Sequence, residues 1–268
     1  MKVLVIGAGN MGLTYAEGMA NSPLLSKNKL KIYDTDPKKI TTLQNDGRFD
    51  VYDNLNDCLP EADIVFVVVK PYHSDALFEQ MQPMLNKGQI IVSLMAGVTI
   101  KTIQDKLKKQ KVVRTMPNLP AQVGKGVTSY TASSDVSKVE LIMVRSLLDT
   151  TGTSIHVSSE NFIDASTGIS GSGPAYVFYF MQAMLEAAKK MGFSEHDSKT
   201  MVTNTFEGAI ELYKRSDITP ETWISRVASK GGTTQAAIDS MTNNNVNQFI
   251  QEAAFAAFNR AVELGKNK

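Results

Sequence analysis

The opening of the chain, Met1-Lys2-Val3-Leu4-Val5-Ile6-Gly7-Ala8-Gly9-Asn10-Met11-Gly12, does most to limit what it can fold into. A short apolar run passes straight into G-x-G-x-x-G, and Leu13 to Met19 continues with helical spacing. That is the strand, tight turn and helix with which dinucleotide-binding folds begin. Gly7 permits the turn, Gly9 lets a pyrophosphate approach the backbone, and Gly12 lets the helix lie close on the strand. The motif alone is a weak signal, and its context supplies the rest. Leu30 to Tyr33 is a second apolar segment, and it ends in Asp34, where such folds place an acid for the ribose hydroxyls.

The alternation continues to about residue 157. Strands are expected at Lys2 to Ile6, Leu30 to Tyr33, Ile64 to Val69, Gln89 to Ser93, Val112 to Thr115, Val127 to Tyr130 and Ser154 to Val157, with helical patterns between them. Ile64 to Val69 is apolar throughout, as expected of parallel strands covered on both faces. The fold class is therefore α/β, a doubly wound Rossmann-type sheet over 1–157, followed by an all-helical C-terminal domain over 158–268. A helix is expected to open at Pro174, after the Ser170-Gly171-Ser172-Gly173 turn. Its body from Ala175 to Met191 is apolar on nearly every side, and such a helix needs cover all round. About a hundred residues of helix supply only part of that cover, so a second subunit is expected to supply the rest, giving a homodimer. The same holds for Ala253 to Phe258. The alternative is a helix enclosed in a monomeric core.

A formal net charge of +1 gives no reason to expect a nucleic-acid or membrane partner, and no apolar run reaches the roughly 20 residues that span a bilayer. The start shows no secretory pattern, and the single cysteine, Cys58, has no partner for an internal disulfide, so a reducing cytoplasm is the expected setting. His73, His156 and His196 lie far apart without metal-ligand spacing, and no metal is expected.

Near the other end, Ser229-Lys230-Gly231-Gly232-Thr233-Thr234 runs into a helix-forming segment from Gln235 to Met241. Two glycines let the backbone turn close to a ligand, and two threonines offer hydroxyls beside the unpaired N–H groups of a helix start. Such a loop suits a carboxylate or phosphate. A plain capped helix start is the competing reading.

Taken in order, GAGNMG at Gly7, VVVKP at Val67, SLMAGVTI at Ser93, VVRTMPNLPAQVGKG at Val112, IDASTGISGSGPAYVF at Ile163 and ITPETWISRVASKGGTTQAAIDSM at Ile218 resemble pyrroline-5-carboxylate reductase. The MPN, SGSGPAY and GGTT segments are the specific ones. The resemblance implies reduction of 1-pyrroline-5-carboxylate to L-proline, the last step of proline synthesis, by hydride from NADPH or NADH. It implies that Gly7, Ala8, Asn10 and Met11 hold the pyrophosphate and that Val68, Val69, Lys70 and Pro71 border the cofactor. Asn54 and the Leu94-Met95-Ala96 turn would flank the ribose and nicotinamide. Glu160, Thr233 and Thr234 would face the substrate, Ser229 and Gly232 would shape the carboxylate loop, and Thr234 would hydrogen-bond the ring nitrogen. Lys70-Pro71 is read as a strand terminator at the cofactor rim, Asn118 as a backbone-bonding turn residue, and Arg114 as a phosphate, carboxylate or structural ion-pair partner.

The family usually carries proline where Lys230 stands, and smaller residues at Leu94 and Met95. Asp34 tips the coenzyme expectation slightly to NADH, since a carboxylate there accepts from both ribose hydroxyls and repels a 2'-phosphate, while Lys38 and Lys39 oppose that repulsion. The resembling family also forms rings of dimers. Two other readings stay open: a related NAD(P)-dependent imine or hydroxy-acid reductase, and a catalytically silent dinucleotide-binding relative, toward which Lys230 points.

Overall fold

The computed structural model describes residues 1–25 and 30–266. The strands are β1 Val3–Ile6, β2 Leu30–Tyr33, β3 Phe49–Tyr52, β4 Ile64–Val67, β5 Ile90–Ser93, β6 Val112–Met116, β7 Gly126–Ala132 and β8 Gly152–His156. The helices are α1 Asn10–Ala20, α2 Pro37–Asp46, α3 Ser74–Met81, α4 Ile100–Leu107, α5 Lys138–Leu148, α6 Glu160–Ser166, α7 Gly173–Lys190, α8 Glu195–Lys214, α9 Pro220–Val227, α10 Thr233–Asn243 and α11 Val246–Lys266. Among these helices none is long and apolar enough to cross a membrane.

The eight strands form one sheet in the order β3-β2-β1-β4-β5-β6-β7-β8. All neighbours pair parallel except β6 and β7, which pair antiparallel, so β7 and β8 run against the first six. Side chains alternate across the sheet. Val3, Val5, Ile64, Phe66 and Val92 join Tyr15 and Met19 of α1 and Val144 and Leu147 of α5 on one face. Leu4, Ile6, Val65, Val67 and Ile91 join Phe78 and Met81 of α3 and Ile103 and Leu107 of α4 on the other. Two apolar layers thus cover the sheet, which is why its central strands β1 and β4 read as continuous apolar runs.

The expected strand Ile64 to Val69 stops at Val67, because the backbone at Val68 turns against the glycine loop. A Cβ at Gly7 would stand 2.6 Å from the Val68 carbonyl oxygen. β3 is an addition to the expected set, and β7 extends beyond the expected Val127 to Tyr130 at both ends. The expected turn before Pro174 is instead a five-residue π-helical stretch, Thr167–Gly171, leading into α7 with Pro174 in its first turn.

By its contacts the chain divides into one unit of residues 1–172 and 256–268 and a second of 173–255. The last strand is β8, ending at His156, whereas the compact units divide at 172/173 and again at 255/256. α6 stays with the sheet through ion pairs from Asp164 and Glu160 to Arg114 on β6. The end of α11 also belongs to the first unit: a Cβ on Gly97, whose φ is +72°, would lie 3.1 Å from the Leu264 carbonyl carbon. In the second unit α7 packs on α8, with the Phe180 and Phe206 rings edge to face at 5.9 Å. Yet no residue of α7 is buried within the single chain, and Tyr179 is 78% exposed. The enclosed-helix alternative is therefore not what the chain adopts.

Candidate active site

A cleft of about 980 Å³ opens at the carboxyl ends of β1, β2, β4 and β5. β1 lies between β2 and β4 in the sheet, so the chain order reverses there, and this crevice is where open α/β sheets bind ligands. Local geometry follows from the glycines. Gly7 has φ +102°, which a side chain resists, and donates its N–H to the Tyr33 carbonyl at 2.8 Å. A Cβ on Gly12 would fall 1.9 Å from the Gly7 carbonyl oxygen, so only glycine lets α1 start this close. Gly9 differs: nothing lies within 4 Å of the position its Cβ would take, and it lines the cleft. Gly9 is also the N-cap of α1 and supplies no side-chain hydrogen bond, leaving the first N–H groups of the helix to an anion. An open glycine beside an uncapped helix start fits the pyrophosphate of a dinucleotide.

Around that point the cleft is lined by Asn10, Met11, Asp34, Val68, Val69, Lys70, Pro71, Leu94, Met95 and Ala96, all expected at the cofactor. Lys70 sits past the end of β4, immediately before a short 3₁₀ turn, Pro71–His73, consistent with a rim residue. Ala8 is buried, and its N–H donates to Asp34 Oδ2 at 2.6 Å. Asn54 stands apart from Leu94 to Ala96. Its Oδ1 accepts from the Asn56 N–H at 3.1 Å, and it lines a neighbouring cleft of about 450 Å³ that shares Tyr33 and Gln80 with the larger one. Burial pushes the Tyr33 hydroxyl above the usual tyrosine range, with nearby Cys58, Asp34 and Asp53 adding to the effect. Thr35, Lys39, Tyr72 and His73 line the larger cleft as well. Of these only Lys39 had a signal in the sequence, its place just after the acid of β2.

Glu160 opens α6, and its Oε1 accepts from the Ile100 N–H at 2.9 Å and from Arg114 Nη1 at 3.0 Å. Arg114 Nη2 donates to Asp164 Oδ1 at 2.5 Å. Arg114 is therefore the structural ion-pair partner among its expected roles. The pair ties α6 to β6 and to the start of α4, the helix that follows the Leu94-Met95-Ala96 turn. Asn118 bonds backbone as expected, its Oδ1 accepting from the Val127 N–H at 2.9 Å.

In the second unit, Gly231 takes φ +74° and the Gly232 N–H donates to the Ser229 carbonyl at 2.9 Å. A Cβ on Gly232 would meet Ser229 Oγ at 2.6 Å. Gly232 then serves as the N-cap of α10 without a side-chain cap, so Thr233 and Thr234 begin a helix whose first N–H groups are open.

The sheet order, the glycine cradle and the cleft at the reversal point define a dinucleotide-binding protein. A family model described as NADP oxidoreductase, coenzyme F420-dependent, matches residues 2–97, and one described as pyrroline-5-carboxylate reductase dimerisation matches 160–264. The chain is 32% identical to the pyrroline-5-carboxylate reductase of Pseudomonas aeruginosa, over 99% of this chain and 97% of that protein. It is 32% identical to that of Staphylococcus haemolyticus over 100% and 99%. Two solved structures superpose with a TM-score of 0.89. They are a pyrroline-5-carboxylate reductase from Coxiella burnetii, 30% identical over 98% of both chains, and the Plasmodium falciparum pyrroline carboxylate reductase with NADP bound, 27% identical over 99% and 98%. The chain belongs to the pyrroline-5-carboxylate reductase family.

Proposed function

We propose that this protein reduces 1-pyrroline-5-carboxylate to L-proline with NADPH or NADH. The observation that carries the reading is the end-to-end likeness to reductases of that name, which spans both the glycine cradle and the GGTT loop. A bound nicotinamide supplies the hydride, which adds to the C=N carbon while the ring nitrogen gains a proton and the dinucleotide leaves oxidised. Gly9, Asn10 and Met11 hold the pyrophosphate, while Gly7, Ala8 and Gly12, whose N–H groups or close packing are already committed to the chain, shape the cradle behind them. Val68 to Pro71 border the coenzyme, with Leu94 to Ala96 flanking its nicotinamide. Asn54, in its adjoining cleft, is the weakest member of the cofactor set. Ser229, Gly232, Thr233 and Thr234 bind the substrate carboxylate, which fixes the orientation of the five-membered ring. The Thr234 hydroxyl hydrogen-bonds the ring nitrogen, and the imine takes its proton from solvent. Glu160, its Oε1 held by the Ile100 N–H and Arg114 Nη1, faces the substrate.

The protein works as a homodimer formed through its C-terminal helices, in the cytoplasm. It accepts both coenzymes. Purified protein should lose NADH or NADPH absorbance only when 1-pyrroline-5-carboxylate is added. A folded sample that turns over with neither coenzyme would sink the reading.

A further inference from the structure

The geometry points to Lys39, rather than Asp34, as the residue that decides between NADPH and NADH. This deepens the coenzyme reading above and rests on it. Asp34 is 7% exposed, and both its oxygens already accept main-chain N–H groups, Oδ2 from Ala8 at 2.6 Å and Oδ1 from Asp36 at 2.9 Å. Its carboxylate thus braces the glycine loop against the end of β2. Each oxygen thus has one acceptor position committed to the chain, which fixes the carboxylate at the place where it lines the cleft.

Lys39 meets the same carboxylate from the other side, with Nζ 3.6 Å from Oδ2. That separation makes it an ion pair without a close hydrogen bond, and the Lys39 side chain is 43% exposed. It also lines the cleft beside Gly9, Asp34, Thr35 and Asp36, whereas Lys38 does not. Lys38, on the same helix α2, has its main-chain N–H donating to Asp36 Oδ1 at 2.9 Å and its carbonyl accepting from Thr42 Oγ1 at 2.9 Å. Asp36 is itself committed as the N-cap of α2. Among the described residues Lys39 is thus the partly exposed cation on the Asp34 side of the cleft, resting against a fixed acid. A 2'-phosphate, carrying close to two negative charges, competes with Asp34 for Lys39 and wins on charge. With NADH the lysine stays on Asp34, and nothing repels the free hydroxyl. Acceptance of both coenzymes follows from this exchange.

Binding is measured by fluorescence titration of the whole protein with NADPH and with NADH, and by displacement with 2'-phospho-AMP and with AMP. A charge-assisted contact to phosphate, discounted for exposure, is expected to give about a tenfold effect. Lys39→Met should lower the ratio of NADPH to NADH affinity by that factor and flatten the salt dependence of 2'-phospho-AMP binding. Lys39→Arg should restore the ratio, and Lys38→Met should leave it alone. An unchanged ratio in Lys39→Met, or an equal change in Lys38→Met, overturns the assignment while the oxidoreductase reading stands. Wild-type protein that binds neither coenzyme overturns both.

Discussion

Arg114 leads the fully buried side chains by size, and its guanidinium faces two carboxylates, Glu160 and Asp164. Its Nε has no hydrogen-bond partner. Removing the cation would leave two carboxylates facing each other beside the core, so Arg114→Met should destabilise the protein by about 3 kcal/mol. Urea unfolding at neutral pH checks this, and a loss within about 0.5 kcal/mol, the range of surface changes, would mean the carboxylates find water. Thr234 tests the proposed chemistry on the same scale. Thr234→Ala should lower kcat/KM by an amount equivalent to about 1 to 3 kcal/mol, with the melting temperature little changed. Unchanged kcat/KM would show that the hydroxyl faces elsewhere.

Among the elements, α5 starts with a reciprocal cap. Ser137 Oγ accepts from the Glu140 N–H at 3.3 Å, Glu140 Oε2 accepts from the Ser137 N–H at 2.9 Å, and Lys111 Nζ pairs with Oε1 at 2.5 Å. Chiefly through Lys111, the Glu140 carboxyl is held below the usual carboxylate range. A depressed folded-state pKa gives stability that is present above the unfolded value and lost as pH falls through the folded one. Acid titration of unfolding should therefore show wild type losing about 1 kcal/mol more than Glu140→Gln below the carboxylate range. Parallel curves would mean the cap does not titrate. The elements also show what a sequence reveals. β1 and β4 are apolar and buried at every position, and strands buried on both faces leave an unbroken pattern. β3 escaped because Phe49–Tyr52 sits at the sheet edge, interrupted by Asp50 and only partly covered. The reversal of β7 is a feature the sequence reading did not anticipate: β6 ends at Met116 and β7 starts at Gly126, too short a link for a parallel crossover, which takes about a dozen residues or more. In the site, the cradle glycines were legible because their roles are local. The brace role of Asp34 and the partners of Arg114 were not, because Ala8, Glu160 and Asp164 reach them through space across long stretches of chain.

For the whole molecule, the helices of the second unit leave Phe178, Tyr179, Ile210, Phe249 and Ile250 uncovered in the single chain. So many large apolar groups on one unit are the mark of an interface. Sedimentation should give a dimer at micromolar concentration, and Tyr179→Glu should shift it toward monomer. A stable wild-type monomer would refute the assembly. The route of the chain through its two units carries a further consequence. The chain leaves the sheet unit after Ser172 and returns to it at Ala256. The helical unit is thus spliced into the sheet unit, not appended to it. Cutting the gene at codon 172 would not isolate the dinucleotide unit intact. It would strip away the backbone at Leu264 and Gly265 that lies against Gly97, one residue beyond the Leu94-Met95-Ala96 turn. A faithful minimal version would have to be made by excision, rejoining 172 to 256, and a blunt fragment would bind coenzyme more weakly for a reason unrelated to the coenzyme contacts themselves.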